Sequence, residues 1–94
     1  MSFLIKFDRA KNGSNIAKRG LPFELAADFD FDTAYVWQDD RKPYPESRFL
    51  ALGYLRNRLH VLCYTPIDGG IRVISFRKAN EREGARHGFP LTRD

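Results

Sequence analysis

"SRFLALGYLRNRLHVLCYT", residues 47–65, decides the fold. Two apolar runs, residues 47–55 and 59–65, flank the polar triplet Arg56-Asn57-Arg58, and this spacing reads as a β-hairpin. Upstream, "AYVWQ" (34–38) is aromatic and β-branched, as sheets favour. The two prolines of "RKPYPE" (41–46) make that stretch a loop. Downstream, "PIDGG" (66–70) reads as a turn, and Ile71 to Arg77 as a further strand.

The N-terminal part follows other rules. "FLIKF" (3–7) is a short strand, and Asp8 can cap a helix running to about Arg19, with Gly20 as its stop. Gly13 and Ser14 inside it are poor helix formers. Pro22 suits the first position of a second short helix, whose stripe is Phe23, Ala26 and Ala27. At the other end, Asn80 and Glu83 have the spacing of a capping box, and Gly88 and Pro90 end that helix. Gly84 within it costs about 1 kcal/mol relative to Ala. The order is strand, two helices, four strands, helix. Short turns between consecutive strands predict an α+β fold: an antiparallel sheet with two N-terminal helices and one C-terminal helix, in one domain over residues 1–94.

Composition bounds the function. The chain is 43% hydrophobic and 30% charged, enough for a core and a polar surface. No apolar run approaches the length of a membrane span, and "MSFLIKFD" lacks a basic start and a long apolar stretch, so a cytoplasmic, membrane-free protein is expected. The single cysteine, Cys63, sits in an apolar run and reads as a small buried hydrophobe. One cysteine and two separated histidines offer no metal-ligand spacing, so neither a metal nor a cofactor is expected.

The net charge of +4 understates an asymmetry. Six of the twelve acids (Glu24, Asp28, Asp30, Asp32, Asp39, Asp40) lie in a stretch without Lys or Arg. The rest of the chain carries all sixteen cations against six acids, a distribution suited to an anionic polymer such as nucleic acid. The acidic stretch itself reads as a solvated edge.

Strand alternation sorts the candidates. Ser75 and Arg77 share one face, with Arg72 and Phe76 on the other. Arg48, Leu50, Leu52 and Tyr54 share a face of their strand, as do Arg58, His60, Leu62 and Tyr64 of theirs. Arg beside Tyr on a sheet surface suits RNA, the guanidinium meeting phosphate and the ring meeting base; the rival reading makes Tyr54 and Tyr64 half-buried core aromatics. "RK" at 77–78 ends an apolar strand at the mouth of a helix, where backbone amides already favour an anion. Arg77 has an alternative in a surface pair with Glu81 or Glu83. Lys18 and Arg19 complement a helix dipole without needing another role. Of the two histidines, His60 reads as structural, whereas His87 lies four residues after Glu83 and can face it across one turn.

Taken together, "FDRAKNGSNIAKRG" (7–20, with Asn15, Lys18 and Gly20), "PFELAADF" (22–29), "ESRFLALG" (46–53, with Arg48 and Gly53) and "RVISFRKANERE" (72–83) form a recognisable order. Over roughly residues 3 to 87 the chain resembles the BrnT family of bacterial toxins, small ribonucleases with a RelE-like fold. The resemblance implies RNA cleavage without a metal: the ribose 2′-hydroxyl attacks the adjacent phosphate, cations hold the developing charge, and a proton reaches the leaving 5′-oxygen. It also implies a BrnA-like ribbon-helix-helix antitoxin encoded beside the toxin, with DNA contacted only through that partner. Carried over by position, the implied site is Lys18, its neighbour Arg19, Ser75, Arg77 and the last helix.

This chain departs from the family pattern twice. Lys18-Arg19-Gly20 stands where Lys-His-Gly is usual, and His87 stands in place of a tyrosine near the end of the last helix. On this reading Arg77 clamps the scissile phosphate with Lys18 and Arg19 assisting, and Ser75 orients substrate. His87 or Glu83 moves protons, while Lys78, Arg48, Arg72 and Tyr54 bind RNA. Two rivals stand beside it. One is a weakly active or inactive RNA- and antitoxin-binding module acting as a transcriptional co-repressor. The other is a scaffold whose charges are only solvated.

Overall fold

The computed structural model describes residues 3–93. Strand β1 (Leu4–Phe7) leads into helix α1 (Arg9–Arg19), and a 3-10 helix (Phe23–Asp28) follows. Strands β2 (Tyr35–Gln38), β3 (Phe49–Leu55), β4 (Arg58–Ile67) and β5 (Gly70–Lys78) come next, then helix α2 (Glu81–His87). The caps are those the sequence predicts. The Asp8 carboxylate accepts from Lys11 N at 2.9 Å, and Gly20 takes the left-handed conformation that ends α1. Asn80 and Glu83 form the reciprocal capping box at the start of α2.

The five strands lie in the order β1-β5-β4-β3-β2. β2, β3, β4 and β5 pair antiparallel, as the hairpin reading expects. β1 corrects that expectation: it adds parallel to β5, so the sheet is mixed. Hairpin logic governs only neighbours in sequence, and these two strands come from opposite ends of the chain. Gly70 permits the join, because a Cβ there would overlap the Leu4 backbone. The second N-terminal helix is likewise corrected to a single 3-10 segment. The turn at 66–70 is shorter than expected, since Pro66 and Ile67 continue β4. Pro66 is tolerated there because β3 pairing stops at Tyr64, so its missing N–H faces no neighbour on that side.

Both faces of the sheet carry apolar residues. On one, Leu21, Phe23, Ala26 and Phe29 pack against Ala51, Leu62, Tyr64, Ile71, Val73 and Phe76. On the other, Leu52, Tyr54, Leu59, Val61 and Ala79 are met by Phe89 and Leu91 of the tail. Buried Asn15 ties α1 to the sheet, its Nδ2 donating to the carbonyls of Leu21 (2.8 Å) and Phe76 (3.0 Å). Asn15→Ala leaves both acceptors unpaired and is expected to cost about 2 kcal/mol, read as a lower urea midpoint. An unchanged midpoint would mean the tie is idle.

One irregularity redistributes side chains. Cys63 pairs with Ser75 but Tyr64 pairs with Val73, so Ile74 is an extra residue in β5. Partners across a ladder share a face, and Arg72 partners Thr65 while Ser75 partners Cys63. Arg72 is therefore on the face of Ser75 and Arg77, not opposite them as strict alternation predicts. Ile71, Val73 and Phe76 accordingly enter one core cluster.

Candidate functional site

The face shared by Arg77, Ser75 and Arg72 is only partly covered, because α2 and the tail occupy one end. Between α2 and the outer strands lies a cleft of about 270 Å³, lined by Trp37, Arg41, Leu50, Leu52, Val61, Arg77, Glu83, Arg86 and His87. Its floor is apolar and its walls carry three guanidinium groups.

Arg77 is fixed by a two-pronged pair. Its Nη1 donates to Glu83 Oε1 at 2.8 Å and its Nη2 to Oε2 at 2.6 Å. Glu83 Oε1 also accepts from Asn80 N at 2.9 Å, so one carboxylate caps α2 and aims the arginine. The Arg77 hydrogen bonds hold the Glu83 carboxyl down at about 2. This corrects the expectation that Glu83 moves protons: near neutrality it has none to give and is too weak a base to take one. The surface pair weighed in the sequence reading is thus present, but it stands at the cleft wall and steadies Arg77.

Glu83 also sets a stability window. Its folded pKa lies below its ordinary value of 4.5, so the stabilisation is present above about 4.5 and fades as pH falls towards about 2. With both side chains about one-third exposed, solvent screening limits the effect to about 1 kcal/mol. Urea midpoints measured from pH 6 to pH 2.5 are expected to fall for the wild type, and to fall less for Glu83→Gln. Parallel curves would remove the pair from the account.

His87 is placed otherwise than expected. No hydrogen bond among the described residues joins it to Glu83. Its ring stacks on Tyr35 (centroids 4.4 Å apart, planes 25° apart) and lies near Trp37 at 5.8 Å. Tyr35 and Trp37 are themselves 5.4 Å apart, so the three rings form one cluster, of which Trp37 and His87 line the cleft.

Arg41 was not anticipated. The Asp39 side chain, 1% exposed, accepts from Arg41 Nε at 2.7 Å and Nη2 at 2.8 Å. Those bonds pull the Asp39 carboxyl down to about 2, while Arg41 stays 70% exposed. Part of the acidic stretch is thus no solvated edge: Asp39 is buried, Asp30 binds Arg93 at 2.9 Å, and Asp28 stands 3.8 Å from Arg56. Arg86 was missed too. Only the alternation of "AYVWQ", which puts Tyr35 and Trp37 on one face, could have pointed to the ring cluster.

The other candidates scatter. Ser75 and Arg72 lie exposed further along the same face, while Arg48 stacks over Tyr44 at 4.1 Å beside its own loop. Tyr54 is corrected from an RNA contact to a core residue: it is buried, and its hydroxyl donates to Pro90 O at 2.7 Å beneath the tail. Lys18 is exposed on α1 and lines neither opening described here. Arg19 and Lys78 lie behind β5, in a second cavity that Arg77 also reaches, together with His60. Among the described residues no three His, Cys, Asp or Glu side chains group as a metal site, and no helix is long and apolar enough to cross a membrane.

A family model described as "Ribonuclease toxin, BrnT, of type II toxin-antitoxin system" matches residues 7–83. No curated protein and no solved structure matches the chain.

Proposed function

The chain belongs to the BrnT family of ribonuclease toxins of type II toxin–antitoxin systems, and from that premise we propose that it cleaves RNA in the cleft beside α2. The observation that carries this is the pairing of three cleft arginines, Arg41, Arg77 and Arg86, with the Tyr35–Trp37–His87 ring cluster. Guanidinium groups meet phosphates and exposed rings stack on unpaired bases, the combination used for single-stranded RNA. Two of the three arginines are held in place by carboxylates, so little side-chain freedom is lost when a strand binds.

In the proposed reaction the 2′-oxygen forms a bond to the adjacent phosphorus, and the bond to the 5′-oxygen breaks. Arg77 stabilises the charge gathering on the phosphate, and His87 transfers protons at the same end of the cleft. Ser75 and Arg72 contact the strand further along the face, while Arg19, Lys18 and Lys78 add positive potential behind β5. No metal enters these steps. The fold is read as RelE-like, and the partner as a BrnA-like ribbon-helix-helix antitoxin that alone touches DNA. A cytoplasmic setting follows from that reading.

The test uses purified protein, a single-stranded RNA oligonucleotide and excess chelator. Fragments ending in 2′,3′-cyclic phosphate are expected, together with growth arrest when the protein is induced alone in bacteria. Intact RNA and unaffected growth would remove the enzymatic reading. Arg19 is the observation that favours the binding-only alternative, since it is a permanent cation whose Nη1 contacts Asn15 Oδ1 at 3.3 Å. Salt-sensitive RNA binding without cleavage, and a large gain of cleavage in Arg19→His, would support that alternative.

A further inference from the structure

The cavity behind β5 encloses about 460 Å³ between Arg19, Gly20 and Leu21 at the end of α1, His60 on β4, and Arg77 and Lys78 on β5. Arg19, Lys78 and the Glu83-paired Arg77 line it and no acid does, so it favours an anion. His60 adds a second requirement. It is 3% exposed, and its Nδ1 lies 2.7 Å from the Arg58 carbonyl. Only an N–H can make that contact, so Nδ1 carries the proton and Nε2 is left as an acceptor. Burial holds the imidazole pKa below its ordinary value, and the charged groups around it are cationic: Arg58 and Lys78 on the two strands, Arg19 from α1, and Arg77. Nε2 has no partner among the described residues.

A simple anion would satisfy the cations and leave Nε2, which is reached by water, with no donor from the ligand. The ligand that answers both carries a hydroxyl next to a phosphate. We propose that this cavity is a sugar–phosphate subsite that reads the ribose 2′-hydroxyl, with the phosphate on Arg19 and Lys78 and the hydroxyl donating to His60 Nε2. The proposal rests on the RNA reading above. Arg77 lines both openings, so a strand leaving the cleft over the end of β5 brings its neighbouring nucleotide to the cavity. A 2′-hydroxyl is what distinguishes RNA from DNA, and His60 is then a specificity-determining residue.

Of the two histidines, His87 lines the cleft, while His60 lines this cavity and the adjoining opening beside Arg56 and Asn57, so their imidazole NMR signals tell the cleft from the back of β5. The probes are adenosine 3′-monophosphate and its 2′-deoxy counterpart, neither of which has a diester to cleave. The ribonucleotide is expected to shift the His60 signals and to bind about fivefold tighter than the deoxynucleotide, as for one hydrogen bond. His60→Phe, which keeps a ring against Phe76, should make the two nucleotides equal. Arg19→Gln should weaken both by about tenfold, the scale of a charge-assisted contact. Equal affinities for wild type, or shifts at His87 alone, would overturn the subsite without any variant having to fold. RNA cleavage is scored on the same preparation. Cleavage with a silent His60 sinks the subsite alone, and a His60 response without cleavage sinks the ribonuclease reading alone.

Discussion

Arg77→Ala is expected to lower the rate of RNA cleavage by about 10²–10³-fold, the loss seen when one donor to a developing oxyanion is removed. The effect should fall mainly on kcat, because Arg41 and Arg86 remain to hold the strand. Stability should change little. The Glu83 carboxylate loses its partner, but it still accepts from Asn80 N and is about one-third exposed to water. Arg77→Lys separates charge from geometry: it keeps the cation and loses the two-pronged hold on Glu83, so most of the deficit should persist. Glu83→Gln offers a third point, leaving the arginine in place but freer to wander, with a smaller loss. If Arg77→Ala cleaves at the wild-type rate while folded, Arg77 is a structural partner of α2 and the chemistry lies elsewhere.

The legible parts of this protein are those whose causes lie within a few residues. Asp8, Gly20 and the Asn80–Glu83 box act inside single turns, so spacing alone reveals them. The hairpin at 47–65 follows from two apolar runs and a polar triplet, and β3 pairs with β4 along its length. Arg77 drew notice for the same reason, as a cation that ends an apolar strand at the mouth of a helix. What sequence hides is set by contacts between distant segments. The parallel join of β1 to β5 depends on a bare Gly70 meeting Leu4. Nothing in "IRVISFRK" marks Ile74 as the extra residue, yet that single insertion turns Arg72 to the other face. Tyr54 has the composition of an RNA platform, and only the return of the tail over it makes it core. Asp39 is the sharpest case. Read as one more charge on a solvated edge, it is buried and aims Arg41 into the cleft.

Gly84→Ala shows how one such contact reverses a local rule. In an exposed helix this substitution adds about 1 kcal/mol of stability, and from sequence Gly84 looks like a flaw in α2. In the structure a Cβ at that position would overlap Phe89 O and stand 3.0 Å from Leu59 Cδ2. The chain after α2 folds straight back, with Phe89 N donating to Gly84 O at 2.8 Å, so the nearer clash is with backbone. Relief requires moving either the tail from the sheet or α2 from Leu59, and a loss of about 3 kcal/mol is expected. Because α2 carries Glu83, Arg86 and His87, the same shift should widen the cleft and weaken both RNA binding and cleavage. Gly13→Ala in α1 is the matched control, since a Cβ there meets nothing within 4 Å. It should be neutral or stabilising by up to about 1 kcal/mol. Should both alanines raise the urea midpoint, the packing of α2 on the tail, and with it the shape of the cleft, would have to be abandoned.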